Sequence, residues 1–211
     1  MKTTSPRSIP VYIYFITLTA NTAFAQVDVP PTRWEVLPDK SSIEWIAIYS
    51  GKPLTGAFSR FTSDIFFDPE KLDASSVVVK IDTANISSDD KDAEQTLPGA
   101  EWFNAAVFPH TVFEAKTFTH VEDEQYRAEG TLTIGEKKNP VVLPFSVHFY
   151  QDTEATPSVR YAQMTAETAL KRSDYGLGKG DWSKTDMVLD DVKITINIKA
   201  KESSQLQTPA P

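Results

Sequence analysis

The sequence contains no cysteine at any of its 211 positions. This absence excludes disulfide bonds, a thiolate nucleophile, cysteine-ligated zinc and covalent attachment of a c-type haem. The folded chain must therefore be stabilised by packing and hydrogen bonding alone.

Basic residues are also scarce, with 21 lysine and arginine residues against 29 aspartate and glutamate residues and a formal net charge of −8 at pH 7. Nucleic-acid phosphates are bound by clustered lysine and arginine, so this balance argues against a nucleic-acid partner. The same shortage of cations disfavours broad adsorption to anionic membrane surfaces.

Motifs for catalysis and metal binding are missing. The three histidines, His110, His120 and His148, are scattered, and none lies beside a second ligand at metal-binding spacing. No G-x-S-x-G turn or phosphate-binding loop is present. Asp190 and Asp191 are adjacent on a predicted strand, so they point to opposite faces and cannot share a substrate. We therefore expect a protein that is not an enzyme and uses no cofactor or metal.

Long apolar runs are absent except at the N-terminus. There, Lys2 and Arg7 precede an apolar run of about 12 residues, which is shorter than the ~20 needed to span a bilayer. The run leads to Ala23-Phe24-Ala25, which has the small residues that a signal peptidase reads. We expect export to the periplasm, with cleavage after Ala25.

The chain then divides into three further parts. Residues 26–31 form a short lead, residues 32–200 form one domain, and residues 201–211 form a polar, proline-rich tail that we predict to be disordered. Removal of residues 1–25 takes away two basic residues and no acid, so the mature chain is more acidic still.

Eight segments of the domain alternate apolar and polar residues, which is typical of half-buried β-strands. These segments are residues 43–49, 61–67, 77–81, 112–118, 126–134, 141–150, 162–170 and 192–198. One helical segment is predicted at residues 87–97, where Ser87 and Asp90 provide an N-terminal capping pattern and Pro98-Gly99 ends it. The pattern predicts an all-β fold, either a sandwich or a closed antiparallel barrel.

The predicted inner faces mix large aromatic residues with alanine and glycine. Small residues would leave room for a ligand inside a barrel of about eight strands, but a packed core can show the same alternation. Composition does not decide between a ligand cavity and a packed core.

The segment from Lys171 to Trp182 is unlike the strands, because it holds three of the eight glycines together with charged and aromatic residues. Such a segment is typical of a rim that meets a ligand head group or a partner. A solvent-exposed loop stabilised by pairing of Arg172 with Asp174 would have the same composition. Trp102-Phe103 is a second candidate rim element, with docking of a helix onto the barrel end as its alternative.

Seven pieces in order along residues 32–200 resemble the YceI-like family. They are Trp34 with Asp39-x-Ser41-Ser42-Ile43-x-Trp45, Gly56-Ala57-Phe58 with Ile65-x-Phe67-Asp68-Pro69, Val77-x-Val79-x-Ile81-Asp82, Trp102-Phe103 with Phe108-Pro109-x-x-x-Phe113, Gly130-x-Leu132-Thr133-Ile134 with Pro140-Val141, Arg172-Ser173-Asp174-Tyr175-Gly176, and the stretch 192–200. The resemblance implies an antiparallel eight-stranded lipocalin-like barrel with one short helical segment. It also implies a role in binding or carrying an isoprenoid lipid or quinone.

The resemblance further implies where such a ligand would lie. The candidate wall residues along the barrel axis are Trp45, Phe58, Phe61, Phe67, Phe113 and Phe145. The candidate mouth residues are Trp102, Phe103, Arg172, Asp174, Tyr175 and Trp182, with Arg172 as the partner expected for a polar or anionic head.

Two other partner hypotheses accompany this prediction. The stretch 176–182 and Trp102-Phe103 look like a branch of the family found beside or fused to a membrane b-type cytochrome, which makes a docking subunit for a redox partner the alternative function. Exposed edges and rims of such barrels are compatible with a homodimer, but no residues in the sequence identify an interface.

Overall fold

The computed structural model describes residues 30–184 and 186–203. The predicted signal peptide and most of the predicted tail lie outside the described residues. Eleven strands and one α-helix occur in the described part of the chain. They are β1 (Arg33–Val36), β2 (Ser42–Tyr49), β3 (Lys52–Phe58), β4 (Phe61–Phe66), β5 (Ser76–Asp82), β6 (Ile86–Ser88), α1 (Lys91–Thr96), β7 (His110–Glu122), β8 (Gln125–Ile134), β9 (Lys137–Asp152), β10 (Val159–Lys171) and β11 (Asp191–Glu202).

The eleven strands form eight long antiparallel strands. Three of the long strands are each divided by an interruption into two of the strands named above. The interruptions fall between β1 and β2, between β3 and β4, and between β5 and β6. Backbone hydrogen bonds continue across them, from Leu37 N to Lys199 O (2.8 Å) and from Ser59 N to Asn85 O (3.1 Å). Each long strand pairs with its neighbour in chain order.

The sheet closes on itself through β11. One edge of β11 pairs with β10, and the other pairs with β2 (Ile194 opposite Trp45) and with β1 (Ala200 opposite Val36). Closure removes the exposed sheet edges that would otherwise invite pairing with another chain. The predicted antiparallel eight-stranded barrel is therefore confirmed, and the choice between sandwich and barrel is settled.

The predicted helix is shorter than its pattern suggested. Residues 87 and 88 belong to β6, and α1 begins only at Lys91. The N-cap is Asp90, whose Oδ1 accepts hydrogen bonds from Asp92 N (2.9 Å) and Ala93 N (3.0 Å). Pairing of β6 with β3 takes residues 86–88 into the sheet and overrides the local helix signal.

The C-terminal boundary also differs from the sequence-based bounds. The last strand runs to Glu202, and Ser203 N donates to Arg33 O at 2.9 Å. Lys201 pairs with Glu35 across the closure, so residues 201 and 202 belong to the barrel and not to the tail.

Candidate ligand-binding site

A cavity of about 380 Å³ lies in the interior of the barrel. This volume lies in the range of small-molecule sites, ~300–1,000 Å³. Its walls are almost wholly apolar and come from both buried clusters of the core. The exposed side chains of Asp90 and Asp92 line one end, so the cavity reaches the surface there.

The far end of the cavity, here called the aromatic end, is closed by packed rings. The Phe67 ring lies 5.5 Å from that of Phe118 and 5.7 Å from that of Phe145, between ring centroids. Trp34 Nε1 donates a hydrogen bond to Phe67 O at 2.9 Å. The Arg160 guanidinium lies over the Trp34 ring, 5.6 Å from its centroid. Packed large rings therefore fill this end of the barrel.

Buried alanines lie beside the rings of the aromatic end. Ala128 pairs with Phe118 across β8 and β7, and Ala162 and Ala166 pair with Phe149 and Phe145 across β10 and β9. Ala128 and Ala162 also line the cavity wall. Gly56 opens space on β3, since a Cβ atom there would lie 2.3 Å from Trp45 Cζ2. The Trp45 indole can therefore lie flat across that strand, where any other residue would block it.

The mouth of the cavity is built by α1, residues 97–109, and residues 172–184 and 186–190. Their aromatic side chains meet there: the Trp102 and Trp182 rings lie 5.8 Å apart, and Phe103 packs edge-on against Phe58 at 6.0 Å. The two segments are joined through backbone, since Gly178 N and Lys179 N both donate to Glu101 O at 2.8 Å. The two segments that the sequence analysis named separately as candidate rim elements therefore contact each other in the fold.

Arg172 holds the mouth segment together from inside. Its side chain is 3% exposed, and it donates to the backbone oxygens of Leu177 (2.9 Å), Val188 (3.0 Å), Lys184 (3.2 Å) and Leu189 (3.3 Å). These bonds use four of the five N–H donors of a guanidinium. The Arg172 fork organises the segment, and four of its donors are not free for a ligand head.

Gly178 makes room for this fork. Its φ is +78°, and a Cβ atom there would lie 2.3 Å from Arg172 Nη1. The glycine content of the segment that looked unusual in the sequence thus serves the packing of the arginine.

Asp174 does not lie where the sequence placed it. Its side chain is exposed and outside the cavity lining, and its backbone oxygen accepts from Asn139 Nδ2 at 3.0 Å. The alternative pairing of Arg172 with Asp174 does not form either, because Arg172 turns inward. The carboxylate that anchors this segment is Asp190, which accepts from Ser173 N (2.9 Å) and Ser173 Oγ (2.8 Å).

Two ionisable groups at the mouth have shifted pKa values. Burial, with a smaller contribution from the Asp174 charge, raises the pKa of Tyr175 above its ordinary value, so its phenol is neutral. For Asp190, burial acts to raise the pKa, but the two Ser173 hydrogen bonds and the nearby Lys171 and Arg172 charges outweigh it and leave the pKa lowered.

The other predicted site residues fall on the cavity. All six candidate wall residues line it, as do Trp102, Phe103, Arg172, Tyr175 and Trp182 among the candidate mouth residues. Sequence reasoning missed Trp34, Leu132, Ile134 and Phe149, although the alternation of β8 and β9 placed the last three on the inner face. It also missed Thr111, because the predicted strand began one residue later.

Residues 30–184 and 186–203 contain no group of three or more side chains able to hold a metal ion. In the same ranges, no helix is long and apolar enough to cross a membrane.

Comparison with known proteins identifies relatives along most of the chain. A family model described as the YceI-like domain matches residues 34–200. A UPF0312 protein of Vibrio cholerae is 25% identical over 137 residues, which are 64% of this chain and 71% of that protein.

Solved structures share the fold. The crystal structure of Burkholderia cenocepacia BcnA is 27% identical with a TM-score of 0.71, covering 78% of this chain and 99% of that one. A polyisoprenoid-binding domain from Saccharophagus degradans, implicated in plant cell wall breakdown, has a TM-score of 0.60 at 10% identity and covers 83% of this chain and 100% of that domain. At that identity the second similarity concerns the fold alone.

Proposed function

This chain belongs to the YceI-like domain family, and on that premise we propose that it is an exported periplasmic protein that binds or carries an isoprenoid lipid or quinone inside its barrel. The observation that carries the proposal is the continuous apolar cavity, which extends from the aromatic end to a surface mouth. The name of the Saccharophagus degradans domain with the same fold supports a polyisoprenoid as the ligand class.

The energetics of the cavity suit a long apolar tail. Each CH₂ group removed from water contributes about 0.8 kcal/mol, so a tail needs no polar contacts along most of its length. The wall is almost wholly apolar, with few polar side chains along its length. A binding protein of this design requires no catalytic group, and we propose that it catalyses no reaction.

Localisation rests on the N-terminal sequence. Lys2, Arg7, the following apolar run and Ala23-Phe24-Ala25 are typical of a cleaved secretory signal. A periplasmic carrier would move a water-insoluble lipid between membranes or withhold it from them.

A pair of charge substitutions on one strand tests the cavity as the binding site. Phe61 and Phe66 both lie on β4, but Phe61 lines the cavity whereas Phe66 faces outward with Arg33 5.8 Å from its ring centroid. Phe61→Glu places a carboxylate against the tail, where an unpaired charge is costly, and we expect at least ~100-fold weaker binding of a benzoquinone with a long isoprenoid tail. Phe66→Glu should bind as the unmodified protein does.

Native mass spectrometry after incubation with the lipid measures the bound fraction, and circular dichroism checks that both variants fold. Phe113→Glu repeats the test on β7, where Phe113 also lines the cavity. Unchanged lipid uptake by folded Phe61→Glu and Phe113→Glu proteins would refute the interior site.

A further inference from the structure

Most of the exposed apolar side chains of the barrel lie toward its mouth. Seven large hydrophobic residues are exposed in residues 30–184 and 186–203, and five of them belong to β2 or to the segments that build the mouth. These five are Ile46, Tyr49, Val107, Met187 and Leu189. Single apolar residues scattered over a surface are normal, whereas a cluster beside an opening marks an interaction site.

The outer face of β2 changes from polar to apolar toward the mouth. Trp45 on the inner face is buried, and Glu44 on the outer face is polar and exposed. The next two outer positions are Ile46, which is 39% exposed, and Ile48, which is half-buried. An antiparallel strand with one face in water ordinarily carries polar residues at such positions. The mouth end of β2 is therefore apolar on both faces.

Residues 187–189 pair with this end of β2. Leu189 N donates a hydrogen bond to Ile48 O at 2.9 Å, and Ser50 N donates to Met187 O at 2.7 Å. These bonds hold the segment antiparallel to β2, so its side chains point alternately to the inside and to the outside of the barrel.

The two faces of this segment have different surroundings. Val188 is buried and lines the cavity. Its neighbours Met187 and Leu189 are 46% and 45% exposed. Together with Ile46 and Ile48 they form one outward apolar surface, here called the apolar rim. The same short segment therefore contributes to the cavity wall on one side and to the apolar rim on the other.

Charges of both signs lie beside the apolar rim. Lys193 lies opposite Ile46, but its Nζ is 2.9 Å from Glu167 Oε2. The net charge of the whole chain is −8. This balance gives little attraction to an anionic surface, so a partner of the rim must be held by apolar contact. The exposed charged residues adjoining the rim in the sequence or in the β2–β3 hairpin are Lys52, Lys184, Asp186 and Asp191.

The size of the apolar rim also limits its partner. A stable protein–protein interface buries about 800 Å² on each side, and four partly exposed side chains present much less than this. The interface of a lipid bilayer, by contrast, can accept a few apolar side chains, each of which is stabilised in proportion to the area it buries.

We propose that the apolar rim docks the barrel onto the surface of a zwitterionic lipid bilayer, with the cavity mouth toward the membrane. Met187 and Leu189 insert below the lipid head groups, beside the point where Val188 and Tyr49 line the cavity. A lipid tail can then pass from the bilayer into the cavity without crossing water. This inference rests on the proposed function and adds the surface from which the ligand is taken.

The first test measures sedimentation of the purified protein with phosphatidylcholine vesicles. Met187→Asp and Leu189→Asp place a charge where the rim would insert, so each should weaken vesicle binding about 10-fold or more. Val121→Asp is the matched control, because Val121 is an exposed apolar residue near the β7–β8 turn, on the side of the aromatic end. It should bind vesicles as the unmodified protein does, and circular dichroism checks that all three variants fold.

A second readout follows insertion directly. Because the chain has no cysteine, Met187→Cys creates a unique attachment point for a fluorophore that responds to the polarity of its surroundings. We expect phosphatidylcholine vesicles to shift its emission to shorter wavelength and to leave the emission of labelled Val121→Cys unchanged. Added salt should not reverse the shift, since the contact is apolar.

Four outcomes would overturn the docking site or its chemistry. The first is equal vesicle binding by folded Met187→Asp, Leu189→Asp and Val121→Asp proteins, and the second is an unshifted emission of labelled Met187→Cys. The third is binding that requires phosphatidylglycerol in the vesicles and is abolished by salt. The fourth is a dimer in analytical ultracentrifugation that Leu189→Asp abolishes, with no binding to vesicles, which would assign the rim to a second copy of the chain.

Uptake of a benzoquinone with a long isoprenoid tail separates this inference from the proposed function. Uptake from solution without any vesicle binding overturns the docking and leaves the proposed function standing. Rim-dependent vesicle binding without uptake supports the docking and overturns the proposed function.

Discussion

The role of Arg172 could be predicted only in part from its residue type. The sequence indicated a charged, glycine-rich segment and suggested Arg172 as the partner for a ligand head. The structure instead buries its guanidinium among four backbone oxygens. A planar guanidinium with five N–H donors is suited to binding several backbone oxygens. The residues next to Arg172 in the sequence do not indicate which oxygens these will be.

Substitution of Arg172 measures this role. Arg172→Lys keeps the charge but replaces the fork with one nitrogen, which cannot reach all four oxygens, so buried carbonyls lose their donors. We expect the free energy of unfolding to fall by about 2 kcal/mol, measured by urea denaturation. Lys179→Ala, an exposed position on the same segment, is the control and should change stability by less than about 0.5 kcal/mol. Equal stabilities of the two variants would contradict the proposed contribution of the Arg172 hydrogen bonds to stability.

The wall residues were predictable because a strand alternates its faces with a period of two. Phe61, Phe67 and Phe145 follow directly from that rule. That the buried indole N–H groups of Trp45 and Trp102 lack a partner in the described part of the chain was not predictable, since satisfaction of a donor depends on residues distant in the chain. Asp174 was misplaced for a related reason, because its segment turns its carboxylate outward while Arg172 and Tyr175 turn inward.

At the scale of elements, each alternating run corresponds to a strand, and the three strands that were missed have local reasons. β3 contains Pro53 and Gly56, both of which weaken a strand pattern. β1 has four residues and β6 has three, too few for alternation to be read. These short pieces are stabilised by pairing within the barrel, so local sequence does not reveal them.

Asp190 and Ser173, which lie at the two ends of the mouth segment, are joined by two hydrogen bonds. Because the folded-state pKa of Asp190 is lowered, the contact stabilises the protein at neutral pH, and its contribution is lost as the pH falls below about 4. The melting temperature of the unmodified protein should therefore drop between pH 5 and pH 2.5, and Asp190→Asn should show a smaller drop.

The exposed neighbour Asp191 supplies the control for that comparison. Asp191→Asn changes the net charge equally but leaves the Ser173 contact intact, so its melting temperature should follow the unmodified protein. If the melting temperature of Asp190→Asn falls with pH as steeply as that of Asp191→Asn, the contact of Asp190 with Ser173 does not contribute to the acid sensitivity.

At the scale of the whole molecule, the sequence could predict a barrel but not its interior. Alternating large and small side chains fit a packed core and an open cavity equally well, because the difference depends on how rings from facing strands interlock. In the folded chain the rings gather around Phe67 at one end, and the cavity extends from there toward the mouth. The closed sheet thus encloses both the ring-packed aromatic end and a ligand-sized cavity.

The most direct test of the carrier function is solvent extraction and mass spectrometry of protein purified from the periplasm of its own host. The account predicts one molecule of an isoprenoid lipid or quinone per barrel. A folded protein that yields no lipid would contradict it, and would favour the alternative of a subunit that docks a membrane redox protein without a ligand.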